Sequence, residues 1–187
     1  METADRVTAL GVPESLSEFL REACRIQFDL FRPLSGSSLP EPARRLLDHP
    51  RDMTSTLAAY HGSPLRVEVL QCRTGGGIYL REVFLRAEAT GKIVEFGGLA
   101  VVLDRFSAEE QRAIHEAAMP LGALLHRFKI PFVSAPISFF SASGESLAGT
   151  PLVLPAGAEC FGRFNRLAKP TGETLAWIME ILPPPGA

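Results

Sequence analysis

Between residues 65 and 103 the chain presents three apolar segments with almost nothing between them: LRVEVLQCR (65–73), IYLREVFLR (78–86) and IVEFGGLAVVL (93–103). Their connections, TGGG and AEATGK, are too short for the helical crossover that parallel neighbours need, so the segments are expected to pair as antiparallel hairpins. Gly97 and Gly98 interrupt the third with a bulge, a sharp bend or a close approach to something else.

Three further strands are expected near 133–142, 159–169 (ECFGRFNRLAK) and 174–182 (TLAWIMEIL). Helical spacing of Leu16, Phe19, Leu20, Ala23 and Cys24 predicts an amphipathic helix from Pro13 to about Phe28. The segment 33–42, rich in proline, glycine and serine, reads as a loop leading to a short helix from Pro42 to Leu47. Asp52 caps a helix to about Tyr60, Ser107 and Glu110 form a capping box, and Pro120 starts a last helical turn. Strand after strand joined by short turns, with helices to one side, predicts an α+β fold with a mostly antiparallel sheet.

Composition limits what such a chain does. With 19 basic and 21 acidic residues the net charge is −2, so nothing draws the whole chain to nucleic acid or anionic lipid, and an anion site must be local. No segment approaches the ~20 apolar residues of a membrane span, and the start METADRVTALGVPESL lacks a signal-peptide pattern, so a cytoplasmic protein without membrane partners is expected. Cys24, Cys72 and Cys160 read as reduced core thiols. The four histidines show no metal spacing, so no metal is assigned. The serines of SASGES lack a nucleophile elbow, and TGGG is not followed by a helix that would bind phosphate.

Two charges sit where charges are unexpected. In the last strand Glu180 shares a face with Ile178 and Leu182 while the opposite face is also apolar, and Arg81 shares its face with Tyr79, Val83 and Leu85. An interior arginine stays charged and needs acceptors, whereas an interior carboxyl can hold a proton. Together they suit a ligand with an acidic end and a hydroxyl end. The alternatives are a structural ion pair of Arg81 with Glu82 or Glu180, or solvated positions on an edge strand.

The segments DMTSTL (52–57), YLREVFL (79–85), MPLGALL (119–125), FGRFNRL (161–167) and IMEILP (178–183), in that order, resemble chorismate lyases. The resemblance spans residues 45–183, which it makes the core of a single domain over 1–187, with 1–44 as an N-terminal helix and loop extension. It implies an enclosed ligand cavity and a cofactor-independent elimination that converts chorismate to 4-hydroxybenzoate and pyruvate. It would place Arg81 on the ring carboxylate and Glu180 at the opposite ring oxygen as general acid. Met53 and Leu121 would contribute backbone groups. Arg163 or Arg166, which point to opposite faces, would meet the second carboxylate.

Glu95, in Glu95-Phe-Gly-Gly, departs from that pattern by placing a carboxylate where such lyases carry a basic residue. The departure leaves room for a lyase acting on an amino analogue of chorismate. A further alternative is a non-catalytic binder of a small aromatic acid, because a similar fold serves as the sensing domain of some bacterial transcription regulators.

Overall fold

A computed structural model describes residues 12–184; the reading of the extreme N-terminus as free of a signal peptide lies outside them. The expected hairpins form, with β2 (Leu65–Gly75), β3 (Ile78–Ala87) and β4 (Ile93–Val102) paired antiparallel. β5 (Val133–Ser143), β6 (Glu159–Ala168) and β7 (Thr174–Leu182) follow, and β7 closes the sheet by pairing with both β6 and β4. A short β1 (Arg32–Leu34), read from the sequence as part of a loop, is added beside β5. Pro33 lacks an N–H and is tolerated there because β1 is an edge strand. The seven strands run in the order β1-β5-β6-β7-β4-β3-β2, and every pair is antiparallel. The fold is α+β.

The helices also follow local sequence. Asp52 accepts a hydrogen bond from the Ser55 N–H and caps the helix Met53–His61, while Ser107 and Glu110 complete a capping box on the helix Ala108–Glu116. The remaining helices are Glu14–Glu22, Ala43–Leu47 and Leu121–Arg127. In chain order they are α1 (Glu14–Glu22), α2 (Ala43–Leu47), α3 (Met53–His61), α4 (Ala108–Glu116) and α5 (Leu121–Arg127). α1 stops short of the expected Phe28 because Arg25 adopts a left-handed backbone, φ +57°, which ends a right-handed helix.

The expectation of helices on one side is corrected. α1 buries Leu16, Phe19 and Leu20 with Phe84, Phe96, Ala100, Phe164 and Met179 on one face of the sheet. On the other face α2 and α3 pack near Leu85, Val94 and Leu182, and α4 and α5 near Tyr79, Leu99 and Ala176. Two-sided cover explains why the central strands are apolar on both faces.

Gly98 makes the α1 contact possible. A Cβ there would lie 2.2 Å from the Cδ2 of Leu20, which is fully buried. No register shift occurs at Gly97 or Gly98, so of the three sequence readings, close approach is the one realised. Gly98→Ala is expected to destabilise the protein by about 1–3 kcal/mol through overpacking. In a denaturant double-mutant cycle the penalty should vanish when Leu20 is also alanine; an undiminished penalty would place the conflict elsewhere.

Candidate functional site

On the face covered by α3 and α5 the register aligns the residues singled out above. Arg81 lies opposite Leu99, Val83 opposite Gly97 and Leu85 opposite Glu95, and Gly97 in turn pairs with Glu180, which pairs with Arg163. Because side chains alternate along strands, these residues share one face. Arg81, Glu95, Arg163 and Glu180 are 3%, 4%, 0% and 2% exposed, which rules out the solvated edge-strand reading.

A cavity of about 40 Å³ lies above this row, lined by Arg81, Glu95 and Glu180 on the floor. Asp52 and Met53 at the start of α3, and Leu121 at the start of α5, also line it. Val67, Val83, Leu99 and Ile178 supply apolar walls. The sequence candidates Met53, Arg81, Glu95, Leu121 and Glu180 thus surround one space. At ~10–15 Å³ for each water the space holds a few waters, so a guest the size of an aromatic acid requires the roof to shift. The two roofing helices are joined by His126 of α5, whose Nε2 lies 3.2 Å from the Asp52 carboxylate. A larger groove of about 300 Å³ runs beside α2 and α3, lined by Leu46, Leu57 and Phe161. Its charged residues Glu41, Lys92 and Glu159 are exposed.

Arg163 is fully engaged. Its Nε donates to Glu180, its Nη1 donates to the carbonyls of Leu47 (2.7 Å) and His49 (3.0 Å), and its Nη2 donates to that of Arg51 (3.3 Å). This is a buried ion pair in which every guanidinium nitrogen has an acceptor, the arrangement that makes such a pair tolerable. The structural partner of Glu180 is therefore Arg163, not Arg81, and neither residue is free in the role first expected of it. Burial raises the proton affinity of Glu180 while the Arg163 guanidinium opposes that shift.

Arg81 is the contrast. It has no ion-pair partner among the described residues, its Nε is buried without an acceptor, and its guanidinium carbon lies 6.0 Å from the centre of the Tyr79 ring. Burial lowers its proton affinity, partly offset by Tyr79, yet a guanidinium keeps its charge in a protein. Glu82 points to the opposite face and accepts from Gln71 at 2.7 Å, so it does not pair with Arg81 either.

Glu95 is the third member. One carboxyl oxygen lies where a Cβ on residue 97 would be 3.0 Å away, so glycine at 97 gives the head group its room. Its other oxygen is buried without a partner. Burial, reinforced by the neighbouring Glu180 charge, holds this carboxyl well above the usual range, against the pull of Arg163. Of two adjacent buried carboxyls, the one without a guanidinium partner keeps the proton.

Sequence reasoning missed two members. Asp52 was read only as a cap. Asn165, buried beside Ser134 (Nδ2 to Oγ, 3.0 Å), also lines the cavity; its signal was its place two residues from Arg163 on the same strand. The cysteines divide: Cys24 and Cys160 are buried, the latter with its thiol pushed up to about 12 by burial, whereas Cys72 is exposed, contrary to expectation.

No protein-family model matches the sequence. No curated protein matches it either. Among solved structures the chain is similar to PhnF from Mycobacterium smegmatis, with a TM-score of 0.50 and 11% identity over 71% of this chain and 64% of that one. It is equally similar to the separately solved effector domain of the same PhnF, with a TM-score of 0.50 and 12% identity over 71% of this chain and 88% of that one. The chain therefore spans less than two thirds of the length of full PhnF, and at these identities the likeness is one of fold. The resemblance to chorismate lyases, and the elimination reaction inferred from it, are corrected by these findings. The neighbours are PhnF and its effector domain, and the glutamate cast as general acid is bonded to Arg163.

The two buried arginines should behave oppositely. Arg163→Met is expected to cost about 3–5 kcal/mol in urea denaturation, because it leaves a buried carboxylate and three carbonyls without their donor. Arg81→Met, which removes an unpaired buried charge, should be neutral or stabilising. A large loss from Arg81→Met would make that residue structural.

Proposed function

We propose that this chain is a non-catalytic binding domain for a small organic anion, of which a small aromatic carboxylate is the best-fitting class. The observation that carries the reading is Arg81: a guanidinium buried at the floor of a cavity, with its Nε unpartnered and no carboxylate beside it. Leaving a buried charge unpaired is costly, and a ligand carboxylate would supply the missing acceptor through charge-assisted, two-pronged hydrogen bonds. The apolar walls from Val67, Val83, Leu99 and Ile178 suit the flat hydrocarbon body of such an acid.

Two further points support binding over turnover. Glu180 is held by Arg163 and is poorly placed to protonate a leaving group. The likeness, one of fold alone, is to a domain named as the effector domain of PhnF.

Thermal-shift and calorimetric titration with benzoate, 4-hydroxybenzoate and aliphatic carboxylates tests the proposal. At least one aromatic acid should raise the unfolding midpoint saturably, as ligand linkage requires. Arg81→Met should abolish the shift, and Arg81→Lys should weaken binding by tenfold or more because a point charge does not reproduce the planar fork. No response to any acid, or a response unchanged in Arg81→Met, would overturn it.

A further inference from the structure

The second polar end of the cavity says what the ligand carries away from Arg81. Glu95 projects its carboxyl back over Gly97, the rung that pairs with Val83, two residues along β3 from Arg81. At about 3.3 Å per residue that is ~7 Å along the strand, a distance on the scale of a benzene ring with a substituent at each end. The charged groups facing this carboxyl are Glu180 on β7, Arg163 on β6 and Asp52 at the head of α3. Arg163 is the one cation among them, and each of its three nitrogens already donates, to Glu180 and to the carbonyls of Leu47, His49 and Arg51. Asp52 is bonded to the Ser55 N–H and to His126. Glu95 alone of the three acids has a buried carboxyl oxygen without a partner.

Resting on the reading of the cavity as an anion site, we infer that Glu95 is its specificity-determining residue. Its neutral carboxyl donates a hydrogen bond to an uncharged acceptor on the ligand end remote from Arg81. The site therefore takes monoanions that carry such an acceptor and rejects dianions. A second negative charge at this end would face Asp52 and Glu180 with no uncommitted cation, and would be desolvated without compensation. An amide or carbonyl oxygen there gives the Glu95 O–H its acceptor and brings no charge.

Two probes of the same shape separate the possibilities: 4-carbamoylbenzoate, a monoanion with an amide oxygen, and terephthalate, its dianionic counterpart, titrated calorimetrically at pH 7. The wild-type protein should bind 4-carbamoylbenzoate at least tenfold more tightly than terephthalate. Glu95→Gln, which keeps a donor and cannot ionise, should still bind 4-carbamoylbenzoate and keep the preference over terephthalate. Glu95→Ala, which removes the donor, should weaken 4-carbamoylbenzoate by tenfold or more and narrow the preference accordingly, while terephthalate stays weak. Equal binding of the two probes by the wild type, abolished by Arg81→Met, would overturn the role of Glu95 while leaving the anion site intact. Binding of neither probe, together with no response to the simple carboxylates, would overturn the anion site and this inference with it.

Discussion

The Arg163 guanidinium is the interaction on which the rest of the site depends. Fully buried in the middle of the sheet, it donates to Glu180 on the neighbouring strand and to the backbone of residues 47, 49 and 51, from the end of α2 through the loop before α3. One side chain thereby ties the sheet to the segment that delivers Asp52 and Met53 to the cavity wall. It also settles the electrostatics of the floor. With Arg163 committed to Glu180, the adjacent Glu95 has no cation of its own, and Arg81, two rungs away, has no anion. A structural ion pair and an unbalanced pair of polar ends are two consequences of the same contact.

The Gly97-Gly98 pair serves the two faces separately. Gly97 leaves space on the cavity side for the Glu95 head group, and Gly98 leaves space on the other side for Leu20 of α1. Because side chains alternate along a strand, adjacent glycines open one gap on each face without disturbing the ladder. The unpaired groups that this arrangement tolerates carry a cost in stability, as expected where a site is preorganised for something other than the fold.

The sheet was legible because β2, β3 and β4 are separated by turns too short for any other connection, and because capping residues such as Asp52, Ser107 and Glu110 act locally. The apolar character of both faces of β7 implies cover on both sides, which the expectation of helices on one side does not take up. Arg81 and Glu180 stood out as charges on apolar faces, and Glu95 as a departure from an otherwise familiar pattern. The role of Arg163 was not legible. Besides Glu180 its acceptors are backbone carbonyls of a loop more than a hundred residues away in sequence, and backbone groups leave no mark in a pattern of side chains. For the same reason the pairing of Glu180 with Arg163 leaves no trace in the sequence, while the resemblance to a lyase would need that glutamate free.

One buried guanidinium holds the fold and the other waits for a ligand. Arginine side-chain NMR tests this most directly, by following the Nε–Hε resonances of Arg81 and Arg163 as a small aromatic carboxylate is added. The Arg81 signal should shift saturably while the Arg163 signal, already hydrogen-bonded to Glu180, stays nearly fixed. A shift of Arg163 with Arg81 unmoved, or no change in either at saturating ligand, would contradict it.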